Sequence, residues 1–167
     1  AIADLVDNSV SAKADNIEIK YDASDNPFVA ILDNGCGMTP DMLTSAMRHG
    51  SSNPTDERDP DDLGRFGLGL KTASLSQCRK LTVVSRRNGG TSARQWNLEV
   101  VQQSGRWLVV VPKTYELKSL PMFSLLQDLD SGTLVVWQDL DRLTAGAFDP
   151  QAEMTAKLSP LYEHLAL

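Results

Sequence analysis

The chain has no apolar run near the ~18 residues that would cross a bilayer. Its longest apolar stretches, Trp107 to Val111 and Leu134 to Trp137, read as strands. Basic residues are also short: Lys and Arg total 16 against 22 Asp and Glu, a net charge of -6. Such a surface does not hold nucleic acid by bulk electrostatics, and it binds an anion only where local groups compensate. There are two cysteines, Cys36 and Cys78, without metal-type spacing. A disulfide framework is excluded, and a reduced, cytoplasmic protein is the expectation, with no membrane partner. The two histidines, His49 and His164, stand alone, so Ser74 and Ser76 lack the partners of a serine hydrolase. The Walker pattern is missing. Repeats, low-complexity tracts and a signal-peptide core are missing too. The first residue, Ala1, already lies in a helical pattern, so the expectation is a single domain, 1–167, whose N-terminal part is missing.

What is present is an ordinary globular composition, 41% hydrophobic and 23% charged. Ile2, Leu5, Val6 and Val10 recur at helical spacing. Ile17, Ile19 and Tyr21 alternate as a strand, and 27–32 reads as a buried strand after the turn at Asp25-Asn26-Pro27. Thr39-Pro40-Asp41 is a helix start with an N-cap and proline in the first turn; that helix should reach Met47. A long polar loop follows, 48–63, and a second helix is expected from 68 to 77. Strands are then expected at 81–87, 94–101, 107–112 and 133–138. Asn88-Gly89-Gly90 and Ser104-Gly105 give hairpin signals, 118–130 reads as a loop and 151–167 as a terminal helix. The order predicts an α+β fold, a two-layer α/β sandwich with a mixed, mostly antiparallel sheet covered by helices on one face.

Three segments carry chemistry. Asp4 and Asn8 are four residues apart and share one helix face. A carboxylate beside an amide oxygen suits a water-and-magnesium corner, as it also suits a plain solvated face. Asp33-Asn34-Gly35-Cys36-Gly37-Met38 follows a strand. A carboxylate there can accept from an exocyclic amine, glycines allow close backbone approach, and Met38 is an adaptable wall for a flat ring. Gly64-Arg65-Phe66-Gly67-Leu68-Gly69-Leu70-Lys71 opens a helix, whose free amides suit phosphates. Its G-x-x-G-x-G order departs from the dinucleotide fingerprint G-x-G-x-x-G. Each segment alone has a bland alternative: a cap, a turn or a hinge. Their order supplies a metal corner, a base pocket and a phosphate cradle together.

At this point the chain resembles the GHKL superfamily, which includes gyrase-type topoisomerases, MutL, the ninety-kilodalton heat-shock chaperone, histidine kinases and MORC proteins. Residues 3–9 resemble its N box, 33–38 its first glycine box, 64–74 its second, and Ser131-Gly132-Thr133 its late Gly-Thr element. Arg48 to Ser52 and Gly69-Leu70-Lys71 look most like MORC and related prokaryotic ATPases. The resemblance implies the Bergerat ATP-binding fold, with ATP and Mg2+ as ligands. It implies that Asn8 ligates magnesium and that Asp33 bonds adenine. Gly35, Gly37 and Met38 would line the base pocket, Thr133 would support the base, and Gly64 to Lys71 would hold the phosphates. Residues 48–63 would be the ATP lid. The helix 151–167 would be packing or a coupling element. Asp4 stands where hydrolytic members carry a glutamate general base, which implies slow hydrolysis. An ATP-dependent homodimer of the full-length protein, and a DNA or protein client, follow only by analogy. A non-hydrolysing ATP sensor and a histidine-kinase catalytic domain are the alternatives.

Overall fold

A computed structural model describes residues 2–48, 74–140, 152 and 154–156. Five strands form one sheet, β1 (Ile17–Asp22), β2 (Phe28–Asp33), β3 (Lys80–Arg87), β4 (Gly90–Asn97) and β5 (Gly132–Gln138). Their order is β1-β2-β5-β3-β4, and every pairing is antiparallel. The last strand in sequence is therefore the central one. Its residues from Gly132 to Trp137 are all buried, which the unbroken run Leu134 to Trp137 anticipates. The α+β class and the antiparallel sheet are as expected.

Side chains alternate across the sheet, so it carries two cores. On one face Val29, Ile31, Leu81, Val83, Val135 and Trp137 meet two helices, α1 (Ile2–Ser11) and α2 (Pro40–Met47). The first contributes Ile2, Leu5 and Val6, the second Leu43 and Met47. Thr39 caps α2 as its sequence predicts, its hydroxyl accepting from the Met42 amide at 3.3 Å. Met154, in a helical stretch at 154–156, closes this core. The rest of the expected terminal helix lies outside the described residues.

On the opposite face Ala30, Leu32, Val84, Leu134 and Val136 are also buried. Their cover comes largely from residues 114–127, of which 118–127 are expected as a loop and 114–117 carry no expectation. They form two short helices, α4 (Thr114–Lys118) and α5 (Phe123–Gln127), which place Leu117, Leu120, Phe123 and Leu126 on the sheet. The near-threefold spacing of those residues is a helical signal.

Four further expectations fail for local reasons. Val10 is 51% exposed, and Ser9 takes the core-facing position instead. Strand β4 stops at Asn97, whose side chain accepts from the Glu99 amide and starts α3 (Leu98–Ser104). The Ser104-Gly105 signal is the end of that helix, with Gly105 left-handed at φ 64°, and not a hairpin. The expected strand at 107–112 is reduced to one bridge between Val110 and Gln95 on the sheet edge. By contrast, the β3–β4 hairpin turns at Asn88 and Gly89 as expected, both with positive φ. Trp96 and Trp137 are core residues; Trp107 is 55% exposed and lies 5.0 Å from the Trp96 ring.

Candidate functional site

Strand β2 ends at Asp33, and the chain then bends back across the end of α1. The Cys36 amide donates to the Ala12 carbonyl at 2.9 Å. The side-chain oxygen of Asn34 accepts from the Asp15 and Asn16 amides, which ties this loop to the α1–β1 connection. Contact is close. A Cβ on Gly35 would lie 2.8 Å from Ala12, and one on Gly37 would lie 2.0 Å from the Arg86 carbonyl oxygen. Gly37 also has φ +62°, so both sterics and conformation require glycine there.

Asp33 is 6% exposed, an unusual place for a carboxylate. Three donors hold it. The Gly35 amide reaches Oδ1 at 2.9 Å, the Thr133 amide reaches the same oxygen at 3.2 Å, and the Ser9 hydroxyl reaches Oδ2 at 2.9 Å. Burial pushes the Asp33 carboxyl up from its ordinary range, and these three hydrogen bonds pull partly the other way. A carboxylate has roughly four acceptor positions. Two on Oδ1 and one on Oδ2 are taken, which leaves one on Oδ2 for a single external donor.

The neighbours extend this chemistry. In the sheet register Asp33 pairs with Thr133, Thr133 with Ser85, and Ser85 with Ser92. A polar row thus crosses four strands at one end of this face. Ser85 is fully buried. Its oxygen accepts from the Met38 amide at 2.8 Å and lies 3.0 Å from Thr133 Oγ1 and 3.2 Å from the Gly132 carbonyl. The Arg87 guanidinium donates to the Gly37 carbonyl at 3.3 Å, so the Arg86-Arg87 pair is more than a solvated strand end. Arg86 itself donates to the Leu129 carbonyl at 2.6 Å and holds the α5–β5 connection.

Of the residues singled out in the sequence, Asp33, Gly35, Gly37, Met38 and Thr133 are brought together here. Asp4 and Asn8 are exposed on α1. The Ala12 amide donates to the Asn8 carbonyl at 2.9 Å, and Ala12 in turn accepts from Cys36 of the glycine loop. Gly64 to Lys71 and the loop 49–63 lie outside the described residues. Sequence reasoning passes over Ser9 and Ser85. Ser9 lies within the N box, and its place among Ile2, Leu5 and Val6 on the apolar face was the available signal. Ser85 interrupts an apolar strand but carries no motif. Neither of two nearby cavities contains Asp33, and the smaller is on the opposite face of the sheet. One of about 90 Å³ lies beneath α4 between Thr82, Gln95 and Gln138, and one of about 230 Å³ lies beside Met38, Arg87 and Ser92.

A buried, singly available carboxylate at a strand end, beside a glycine loop and a late Gly-Thr pair, is the arrangement that the motif order implies. Residues 1–133 match the family model described as histidine kinase-, DNA gyrase B- and HSP90-like ATPase. The chain belongs to this ATPase family. Among similar proteins are three described as DNA mismatch repair protein MutL. That of Elusimicrobium minutum is 31% identical over 127 residues, covering 71% of this chain and 20% of the relative. That of Paramagnetospirillum magneticum is 34% identical over 105 residues, 60% of this chain and 16% of the relative. That of Aeromonas salmonicida is 34% identical over 114 residues, 67% of this chain and 17% of the relative. The matched region thus spans at most a fifth of these relatives' length. No helix among the described residues is long and apolar enough to cross a membrane.

Proposed function

We propose that this chain is a magnesium-dependent ATP-binding domain that hydrolyses ATP slowly and acts as the nucleotide-driven switch of a longer protein. The observation that carries the reading is Asp33. Its one remaining acceptor on Oδ2 suits one N–H of an exocyclic amine, and the adenine edge offers that donor with a ring acceptor beside it. Gly35, Gly37 and Met38 wall the base, and Thr133 meets the ring acceptor directly or through water. Gly64, Arg65, Phe66, Gly67, Leu68, Gly69, Leu70 and Lys71 hold the phosphates by amides and local positive charge, which an acidic chain otherwise lacks.

The donors on α1 fit magnesium, since amide and carboxylate oxygens are the ligands it prefers. Asn8 Oδ1 would hold the ion, which neutralises phosphate charge when bound. Asp4, one turn earlier, accepts a proton from the attacking water as that oxygen bonds to the γ-phosphorus. The bond to the bridging oxygen breaks, ADP and phosphate leave, and the Asp4 proton passes to solvent. Aspartate is a methylene shorter than the family's glutamate, and a 1 Å misplacement costs about 10²-fold, so turnover is slow. That same substitution favours the second reading, a sensor that binds ATP without turnover.

ATP closes residues 48–63 over the nucleotide and drives dimerisation of the longer protein, whose client is DNA or protein. Calorimetry with ATP, ADP and a non-hydrolysable analogue, with and without magnesium, tests the reading; binding of none of them ends it. Phosphate release under saturating Mg-ATP separates the two forms. In the slow ATPase, Asp4→Ala keeps ATP binding and abolishes release. Release unchanged in that variant removes Asp4 from the mechanism.

A further inference from the structure

Asn34 stands next to the base carboxylate in the motif 33–38, and the ATP-binding reading gives it no task. We propose that Asn34 is a positioning residue. Its side chain holds the base-pocket loop against the C-terminal end of α1, and affinity for the nucleotide depends on that hold. This deepens the ATP-binding reading and rests on it.

The end of the β1–β2 ladder leads there. The two strands pair down to Ile17 opposite Asp33. One step further the Asn34 amide donates to the Asn16 carbonyl at 3.3 Å. In a hydrogen-bonded antiparallel pair the return bond would run from the Asn16 amide to the Asn34 carbonyl. Here the Asn16 amide donates to Asn34 Oδ1 instead, at 2.9 Å. The side chain stands in for its own carbonyl, so the backbone can leave the ladder at this residue and cross to α1. The same oxygen accepts from the Asp15 amide at 3.1 Å, and Asn34 Nδ2 donates to Asp15 Oδ1 at 2.5 Å. A carboxamide suits this place. Its oxygen serves two amides while its nitrogen serves a carboxylate, and an aspartate there would lack the donor.

Loop and helix then meet closely. The Cys36 amide donates to the Ala12 carbonyl at 2.9 Å, Gly35 passes Ala12 with no room for a Cβ, and Ser9 on α1 donates to Asp33 Oδ2 at 2.9 Å. Between Asp33 and Met38 the chain has two glycines and Cys36, which is exposed. Asn34 is thus the residue of this stretch whose side chain anchors it. Glycines have the most conformational freedom to lose, and what Asn34 orders beforehand the nucleotide does not have to order on binding.

The test is calorimetry on the intact chain with ATP and magnesium, which reads affinity and the binding-competent fraction separately. Asn34→Ala weakens ATP about tenfold, the cost of ordering roughly one more residue of backbone, and leaves the stoichiometry unchanged. A residue that only supports the fold would do the opposite: stoichiometry would fall with the folded fraction, and the remaining molecules would keep their affinity. Asn34→Asp keeps the acceptor, loses the donor and sets two carboxylates together, so it also weakens ATP about tenfold. Asp15→Asn alone leaves affinity within about twofold, since its amide oxygen still accepts from Asn34. Combined with Asn34→Asp it restores affinity to within about twofold, because the new amide at position 15 donates to the new carboxylate at position 34. Charge alone gives a different pattern, in which Asn34→Ala is silent and Asp15→Asn by itself tightens the anion. That pattern overturns the proposal. So does a swapped pair that stays weak, and this comparison carries the test if Asn34→Ala does not fold. If Asp33→Asn weakens ATP while the Asn34 variants bind it as the unmodified chain does, only the Asn34 inference falls. If the unmodified chain binds no ATP, the underlying reading falls with it.

Discussion

One face of one sheet holds two opposite environments a few residues apart. Along its body, Val29, Ile31, Leu81, Val83, Val135 and Trp137 bury hydrocarbon against α1 and α2. At its end Asp33, Thr133 and Ser85 are buried to a similar degree, and all three are polar. The body needs only shape and volume, since dispersion and the hydrophobic effect are non-directional. The end needs a donor for every acceptor, because an unmet polar group in the interior is destabilising. A polar end of this kind is harder to satisfy than an apolar one. The unfilled acceptor on Asp33 Oδ2, a charged group, is therefore the feature that points outward to a ligand.

Substitutions can break this contrast. The largest effect on stability belongs to the body. Trp137→Ala opens a cavity in the fully buried centre of the sheet and costs about 3–5 kcal/mol of unfolding free energy in a denaturant titration. Nucleotide affinity per folded molecule stays as it was. If affinity falls in proportion to stability, the two regions are not separable.

Asp33→Asn should do the reverse. The amide oxygen can still accept from Gly35 and Thr133. Its NH2 can donate to Ser9, whose own proton turns to the Leu5 carbonyl 3.2 Å away. Stability is then unchanged or raised, since no charge is buried. ATP binding weakens by about 1.5–3 kcal/mol, the worth of a hydrogen bond to a charged acceptor. Calorimetry and thermal melting on one sample check both halves, and a destabilised variant with intact affinity contradicts them.

Acidification sharpens the comparison further. The Asp33 carboxyl is raised above its ordinary range mainly by burial, so the folded chain binds that proton more tightly than the unfolded one. As pH falls through the raised value toward the ordinary one, this group adds stability, while nucleotide affinity declines because the acceptor is lost. Asp33→Asn lacks both trends. Affinity that stays flat until the ordinary carboxylate range would show that Asp33 is not titrating at the site.

Ser9→Ala is the smallest change. It removes one of three donors, and stability drops by about 1 kcal/mol in denaturant titration. The loss of that donor also moves the Asp33 carboxyl further up, so the acid decline in affinity starts at higher pH.

Much of this is legible in the sequence. Periodicity locates α1, β1, β2 and the buried β5, and the Thr39-Pro40 start locates α2, because those signals are local. The glycine box at 33–38 and Thr133 are legible as motifs. The failures have local causes. Val10 and Ser9 are about 100° apart on the helix, and the apolar character of Val10 draws the reading away from Ser9, which sits in the middle of the Ile2, Leu5 and Val6 arc. Val100 and Val101 favour strand by propensity, but the Asn97 cap and Gly105 impose a helix. Helix α5 falls in the stretch read as a loop, and α4 goes unassigned, because each is five residues long and the spacing of their leucines is shared between them.

The sequence by itself determined the element types, the antiparallel α+β class and the residue kinds that a nucleotide site requires, since these follow from local geometry and side-chain chemistry. Only the tertiary structure decided that β5 lies between β2 and β3. That placement brings Thr133 to Asp33 across 100 residues of sequence and sets Ser85 against them both. A hydrogen bond depends on distance and direction in space, and no spacing along the chain encodes either one.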